Sequence, residues 1–277
     1  MDAKNVIKEL LPPAFLRLIR NLRNGKNGFG FEGEFSSWDA AAAACQTAGY
    51  AEPNILQKTL KSVLAVKNGQ AVFERDSVLF SEIQYSWPLL SSILLVAANT
   101  HNNLRILDFG GSLGSTYFQN KKFLDGIPHK ISYGVVEQSH YVDVGNEQIS
   151  DENLSFYKNI TDYIADIGKP HLLILNGVLQ YLENYSDLLK DILSKDIEFI
   201  VIDRTPFVAG GGERIMIQNV PETIYAARYP HRLFQKSEFL ANFTNHGYEV
   251  LEGFKAIDNG NEFATWEGFI FAKTKSN

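Results

Sequence analysis

Short apolar runs alternate with amphipathic stretches through the second half of the chain. The runs that are typical of buried strands occupy residues 104–108, 132–137, 154–157, 171–176, 198–203, 247–256 and 267–273. Stretches of helical character lie between them, at about 115–124, 143–149, 160–166, 184–194 and 236–245. Because strands alternate with helices, the pattern predicts an α/β fold with a seven-stranded, mostly parallel sheet that helices cover on both faces. The last two runs are close enough in sequence to form an antiparallel pair.

The first hundred residues predict helices ahead of this sheet. Ser36 or Ser37 can cap a helix that runs through Thr47, and a second helix is expected at about 54–66. A third should cover 87–99, with Pro88 in its first turn. The segment 24–35 is rich in glycine and aromatic residues and predicts a loop. We therefore expect a helical cap over residues 28–100 and the main domain over 101–277.

Composition narrows the class of protein. The 277 residues are 45% hydrophobic, which is ample for a packed core in one large domain or two small ones. Cys45 is the one cysteine, so no intrachain disulfide or cysteine metal cluster can form, and a reducing, cytoplasmic location is expected. The six histidines show no metal-ligand spacing. The net charge of −6 argues against general nucleic-acid binding.

Residues 1–27 differ in charge from the rest. They carry six basic and two acidic residues, a net charge of +4, so the remaining residues hold −10. Two interpretations stay open: a basic amphipathic segment on an anionic inner-membrane surface, or a helix docked on the domain with its charges solvated. Pro12 and Pro13 interrupt the segment, which argues against a signal peptide. The longest apolar run, 89–98, is too short to span a bilayer.

The most informative motif is Arg105-Ile-Leu-Asp-Phe-Gly-Gly-Ser-Leu-Gly-Ser-Thr-Tyr117. A buried strand ends at Asp108, a turn of small residues follows, and a helix can begin at Ser115. Glycines allow the backbone to approach a ligand closely, as nucleotide-cofactor loops require. The alternative is a helix that merely packs close to the sheet. Glu137 ends the next strand, 29 residues after Asp108, where a carboxylate can accept hydrogen bonds from ribose hydroxyls.

This turn departs from two better-known phosphate sites. No lysine follows the glycines, so the turn is not a P-loop. The acidic residue comes later than the roughly 20 residues that an NAD site predicts. The pattern instead suits a nucleoside cofactor that carries few phosphates.

Further motifs extend over about residues 28–273. Together with the glycine turn they are Gly30-Phe-Glu-Gly-Glu-Phe-Ser-Ser-Trp38 with Ala40, Gly49-Tyr50, Tyr85-Ser-Trp87-Pro88, Leu107-Asp-Phe-Gly-Gly-Ser-Leu-Gly114, Asn176-Gly-Val-Leu-Gln-Tyr-Leu182, Tyr229-Pro230, Glu238-Phe239 and Gly247-Tyr248-Glu249. These motifs resemble class I S-adenosyl-L-methionine (SAM)-dependent methyltransferases, which have a Rossmann-like fold. More narrowly, the chain is similar to a bacterial family of methyltransferases often found with O-antigen and surface-polysaccharide genes. Ser112 stands where the usual methyltransferase loop has its middle glycine.

The resemblance implies a set of cofactor-binding residues. Asp108 and the backbone of Gly110, Gly111, Ser112 and Gly114 would hold the methionine end of SAM. Glu137 would bind the ribose, and Asn159 with Ile160 would line the adenine. Asn176 completes the set at the end of the fourth strand, where Gln180 and Tyr181 can face the acceptor.

Methyl transfer to a hydroxyl requires a positioned acceptor and benefits from a nearby base. We expect His231, in the connection from Thr205 to Gln235, to be that base, with Asp203 as the second catalytic candidate. Gly210-Gly-Gly212 would let this connection move as a lid. Arg204 and Arg228, with Tyr229, could hold an anionic acceptor. The alternatives are a surface histidine and surface ion pairs.

Five aromatic residues also allow two interpretations. They either form a lid over the ligands or belong to the core, and they are Phe29, Phe31, Trp38, Tyr85 and Trp87.

The expected function is therefore O-methylation of a sugar in a surface polysaccharide or its lipid-linked precursor. Methylation of a small metabolite and a non-catalytic scaffold with this fold are the alternatives. The sequence leaves the oligomeric state open.

Overall fold

The computed structural model describes residues 30–45, 53–220, 227–258 and 260–274. These residues form twelve strands and eight α-helices. The first elements are β1 (Gly30–Phe35), α1 (Trp38–Cys45), α2 (Pro53–Lys67), β2 (Phe73–Arg75), β3 (Val78–Phe80), α3 (Trp87–Asn99), β4 (Asn103–Phe109), α4 (Ser115–Leu124), β5 (Lys130–Val136) and α5 (Ser139–Val144). They continue with β6 (Leu154–Tyr157), α6 (Ile160–Ile167), β7 (Leu172–Asn176), α7 (Tyr185–Ser194), β8 (Phe199–Val208), β9 (Arg214–Val220), β10 (Ala227–Leu233), α8 (Lys236–Thr244), β11 (Tyr248–Lys255) and β12 (Ala264–Lys273). A π-helical turn (Gly145–Ile149) follows α5, and a 3-10 turn (Leu179–Tyr181) follows β7.

The chain divides into two compact units. Of the described residues, one unit comprises 30–45, 215–220 and 227–231, and the other comprises 53–214, 232–258 and 260–274. The basic segment 1–27 lies outside the described residues, so its membrane contact stays a prediction. Among the described helices, none is both long enough and apolar enough to cross a bilayer.

A seven-stranded sheet forms the second unit, in the order β11-β12-β8-β7-β4-β5-β6. The five strands from β8 to β6 pair in parallel. Strand β12 runs antiparallel to both β8 and β11. The predicted mostly parallel sheet and its terminal antiparallel pair are therefore confirmed.

The central strands are apolar because helices cover both of their faces. Leu104, Ile106 and Leu107 of β4 are fully buried, as are residues 172–175 of β7. The chain returns on opposite sides of β4 to form β5 and β7, and this reversal opens a crevice at the carboxyl ends of the strands. That edge is where a ligand site is expected in a sheet of this kind.

The first unit contains a smaller sheet in the order β1-β9-β10. Strand β1 pairs antiparallel with β9, so the loop predicted over 24–35 is wrong for residues 30–35. The connection from Thr205 to Gln235 likewise contains strands β9 and β10. Local sequence could not predict these strands, because β1 finds its partner about 185 residues later in the chain.

The helix predicted from Ser36 or Ser37 to Thr47 begins at Trp38, and the hydroxyl of Ser37 accepts from the N–H of Ala40 at 3.2 Å, as a cap does. Its predicted end at Thr47 lies outside the described residues. The boundaries of one further predicted helix shift. The one predicted at 143–149 begins earlier, at Ser139, and ends in the π-helical turn.

Candidate functional site

The turn between β4 and α4 has a backbone that only particular residues can adopt. Three of its residues have positive φ: Gly110 at 72°, Ser112 at 55° and Gly114 at 87°. A Cβ on Gly110 would lie 2.3 Å from a methyl carbon of Val178, and one on Gly111 would lie 2.6 Å from the carboxyl group of Asp108. Glycine is therefore required at both positions, and the turn forms a backbone cradle that is half-buried over residues 110–112.

Asp108 lies fully buried near the carboxyl end of β4. Its Oδ2 accepts a hydrogen bond of 2.8 Å from the hydroxyl of Tyr133. Its Oδ1 has no hydrogen-bond partner among the described residues. Burial raises the pKa of Asp108 to about 7, against the lowering effect of the Tyr133 and Thr116 hydroxyls. This carboxyl group can therefore change its charge near neutral pH and has one oxygen available to a ligand.

Glu137 directly follows β5, the neighbour of β4, and turns back toward the glycine turn. Its Oε1 accepts from the backbone N–H of Ser112 at 3.3 Å, and its Oε2 accepts from that of Gln138 at 2.8 Å. Burial raises the pKa of Glu137, and these two N–H groups partly offset the rise. The structure thus brings together Asp108, the glycine turn and Glu137, as the sequence predicts.

Asn159 and Ile160 have local structural roles at the start of α6. The side chain of Asn159 caps the helix by accepting from the N–H of Asp162 at 2.8 Å. Ile160 is buried in the main hydrophobic core. A contact of either residue with adenine stays a prediction.

Asn176 ends β7 beside the glycine turn. Its Nδ2 lies 3.4 Å from the hydroxyl oxygen of Thr116, in the first turn of α4. Its Oδ1 has no hydrogen-bond partner among the residues described. Asn176 Oδ1 is thus a second buried hydrogen-bond acceptor, after Asp108 Oδ1, at the carboxyl edge of the sheet.

Asp203 is buried at the same edge, in register with Asn176 on the neighbouring strand. Its Oδ2 accepts from the hydroxyl of Ser86 at 2.6 Å, and its Oδ1 accepts from the N–H of Arg204 at 2.7 Å. Burial raises the pKa of Asp203, and both hydrogen bonds oppose the rise. Asp203 is therefore a rigidly held carboxyl group of increased basicity.

Arg204 has a φ of 53° and is held by two carboxylates. Its Nε lies 2.7 Å from Asp258, and its Nη2 lies 2.9 Å from Asp76. Its charge is thus already balanced within the protein. An anionic acceptor would have to compete with both carboxylates for this guanidinium group.

Gln180 and Tyr181 lie in the 3-10 turn after β7. Gln180 is buried, and its Nε2 donates to the carbonyl oxygen of Arg204 at 3.2 Å. Tyr181 is 37% exposed. The turn therefore offers one anchored amide and one accessible ring for contact with an acceptor.

His231, Arg228 and Tyr229 lie in the first unit, on β10. His231 is buried against the edge of Phe31, with ring centroids 4.8 Å apart. Burial lowers the pKa of His231 to about 3, so the imidazole is neutral at pH 7. Arg228 pairs with Glu32 of β1. The catalytic role of His231 and the acceptor contacts of Arg228 and Tyr229 stay predictions.

Sequence reasoning missed Glu74, on the hairpin that β2 and β3 form. Its carboxyl group is 2% exposed and accepts hydrogen bonds from the Ser115 hydroxyl and, at 3.2 Å, from the N–H of Ser77. The apolar residues that flank Asp76-Ser77 could have predicted a hairpin. Nothing in the local sequence indicates that its glutamate meets the start of α4.

The comparisons with known proteins show a likeness of fold. No family model matches the sequence, and no curated protein matches it. The solved N-terminal domain of EvdMO1, with S-adenosylhomocysteine (SAH) bound, is 14% identical to this chain with a TM-score of 0.50. The match covers 79% of this chain and 97% of that one. A SAM-dependent methyltransferase from Clostridium acetobutylicum is 10% identical with a TM-score of 0.47, covering 68% and 91%.

The 1,6-didemethyltoxoflavin-N1-methyltransferase of Burkholderia thailandensis, solved with bound 1,6-didemethyltoxoflavin and SAH, is 16% identical with a TM-score of 0.42, covering 83% and 94%. At such identities a likeness establishes only the fold. The chain has the Rossmann-like class I methyltransferase fold, in agreement with its strand order.

Proposed function

We propose that this protein is a SAM-dependent methyltransferase whose cofactor binds at the carboxyl ends of β4, β5 and β7. The observation that carries the proposal is the glycine cradle of residues 110–114, with Asp108 and Glu137 at the ends of adjacent parallel strands. Asp108 Oδ1 and Asn176 Oδ1 add two buried acceptors that lack a partner among the described residues. A cofactor that combines ribose hydroxyls with cationic groups supplies the donors and positive charge that such a site lacks.

Each residue of the cradle has a part in this proposal. The backbone of Gly110, Gly111, Ser112 and Gly114, with Asp108 and Asn176, holds the methionine end. Glu137 accepts hydrogen bonds from the ribose, while Asn159 and Ile160 border the adenine. When bound, SAM supplies a methyl group on a positively charged sulfur.

The protein must then position an acceptor and remove its proton. Of the two predicted bases we favour Asp203, because burial increases the basicity of its carboxylate. His231 is the weaker candidate, since burial lowers its pKa to about 3 and so disfavours the protonated form. The hydrogen bonds from Ser86 and from the Arg204 N–H keep the Asp203 carboxylate in one orientation.

The acceptor in this proposal is a sugar hydroxyl of a surface polysaccharide or its lipid-linked precursor. The family resemblance of the sequence supports this class of acceptor. Gln180, Tyr181 and Arg204 are the proposed acceptor-binding residues of the second unit. The acceptor contacts predicted for Arg228 and Tyr229, in the first unit, stay a prediction. A neutral sugar fits better than an acidic one, because Asp76 and Asp258 already balance the charge of Arg204.

Calorimetric titration of the purified protein with SAM and SAH tests the proposal, with NAD as a control ligand. We expect both sulfur ligands to bind and NAD not to bind. Glu137→Ala should abolish binding, whereas Glu152→Gln, which changes an exposed residue, should not affect it. Failure of the wild-type protein to bind SAM and SAH would refute the proposal and favour the scaffold alternative.

A second experiment addresses the acceptor. Labelled methyl transfer from SAM can be measured with neutral hexose-containing glycans, with glycans that contain uronic acids, and with a panel of small metabolites. We expect label in the neutral glycans. Transfer only to a metabolite would retain the enzyme class and refute the glycan.

A further inference from the structure

We propose that Glu74, which the β2–β3 hairpin supplies, binds the α-ammonium group of the cofactor's methionine end. This inference rests on the proposed function and adds a residue from outside the seven-stranded sheet. Glu74 accepts a hydrogen bond from Ser115, the first residue of α4, which directly follows the glycine cradle. The next residue, Thr116, contacts Asn176. Glu74 is thus bound to the first residue of α4, and the second residue of that helix contacts Asn176 of the proposed methionine site.

No ion pair compensates the charge of Glu74 within the described residues. The side chain is 2% exposed, and no basic residue in the described part of the chain forms an ion pair with it. Burial raises the pKa of Glu74 to about 7, and repulsion by Asp76 adds to the rise. The hydrogen bonds from Ser115 and Ser77 oppose it, as does the weaker attraction of Arg204. Because a buried carboxylate is costly unless a cation accompanies it, the site favours a positively charged ligand group.

The position of Glu74 also indicates which group of the methionine portion it would bind, the ammonium or the carboxylate. The N-terminus of a helix normally attracts an anion through its free N–H groups. At α4 the Glu74 carboxyl group already meets the first residue of the helix. A ligand carboxylate placed beside it would be repelled, whereas an ammonium group would be attracted. The methionine end of SAM carries both groups, and its ammonium is the one that fits next to Glu74.

Two ligands separate this role from a general effect on the cradle. SAH carries the ammonium group, whereas 5′-methylthioadenosine has the same adenosine and a thioether but no amino-acid portion. Titration calorimetry at pH 7.5 should show that Glu74→Gln weakens SAH binding about tenfold or more. The affinity for 5′-methylthioadenosine should change less than about twofold, because that ligand makes no contact with the ammonium site.

A pH series and two further variants sharpen the test. The SAH-binding difference between wild type and Glu74→Gln should shrink at pH 6, where the wild-type carboxyl group is mostly protonated and resembles the amide. Glu82→Gln, a change at an exposed residue just after the hairpin, is the matched control and should bind both ligands normally. Ser115→Ala keeps the Glu74 carboxyl group but removes a hydrogen bond that lowers its pKa, so the comparison is made at about pH 8.5, where this variant should lose less SAH affinity than Glu74→Gln.

Three results would overturn the inference. An equal loss for both ligands would mean that Glu74 only shapes the cradle. An unchanged SAH affinity in a folded Glu74→Gln variant would show that no ammonium is held there. If the wild-type protein binds neither SAH nor 5′-methylthioadenosine, the proposed function itself fails and the inference fails with it.

Discussion

Replacing Asp108 by asparagine should change the pH dependence of stability in a way that isolates one buried carboxyl group. Asparagine has almost the same shape, and its amide oxygen can still accept the hydrogen bond that Tyr133 donates to Asp108. The substitution therefore removes the titration of this site while it preserves most of the packing.

The magnitude follows from the two pKa values of Asp108. Its ordinary value is 3.8, and burial raises it to about 7 in the folded protein. Between these values the folded state binds more protons than the unfolded state, so the contribution of this group to stability falls as the pH rises from about 4 to about 7. From pH 5 to pH 8 the stability of the asparagine variant should rise relative to wild type by about 3 kcal/mol.

Urea unfolding followed by circular dichroism at pH 5, 6, 7 and 8 measures this difference directly. The other buried carboxyl groups are present in both proteins, so their titration cancels. Asp125→Asn changes an exposed carboxylate that pairs with Lys121 and serves as the control. A stability difference between wild type and Asp108→Asn that stays constant from pH 5 to pH 8 would refute the reasoning. The variant should also lose the stabilisation that SAH confers on the wild-type protein.

Two further substitutions test the glycine cradle and the ion pairs that Arg204 forms with Asp76 and Asp258. Gly110→Ala forces a Cβ to within 2.3 Å of Val178 at a φ of +72°, so it should destabilise the protein by roughly 1–3 kcal/mol and abolish SAH binding in calorimetry. Gly212→Ala, where nothing lies within 4 Å, should do neither, and normal SAH binding by Gly110→Ala would contradict the cradle. Arg204→Met should cost about 2 kcal/mol at pH 7 in urea unfolding, because it leaves half-buried Asp258 and exposed Asp76 without their partner. Although burial opposes it, Arg204 lowers the pKa of Asp258, so the stabilisation is present above pH 4 and is lost as the pH falls. The cost should therefore shrink at pH 3, and an equal cost at both pH values would contradict the ion pair.

Local sequence patterns were sufficient to predict the strands of the seven-stranded sheet and the glycine turn after β4. Buried runs such as Leu104–Leu107 and Leu172–Leu175 identify parallel strands, since their side chains have no water-facing side. The small residues after Asp108 predicted the turn, because a positive φ and a close backbone approach restrict the residue type wherever they occur. Asp108 and Glu137 follow from the same logic, as residues at the ends of neighbouring strands.

What the sequence by itself determined is therefore the succession of strands and helices that form the seven-stranded sheet, the glycine turn and the carboxylates at the strand ends, because these are set by residues close together in the chain. Only the tertiary structure decided which distant residues meet there. Glu74 reaches Ser115 from 41 residues away, and Ser86 reaches Asp203 from 117. The ion pair between Asp76 and Arg204 spans 128 residues. The pairing of β1 with β9 belongs to the same class. Such contacts form because folding packs complementary surfaces of distant segments together. Local sequence patterns do not predict which segments those are.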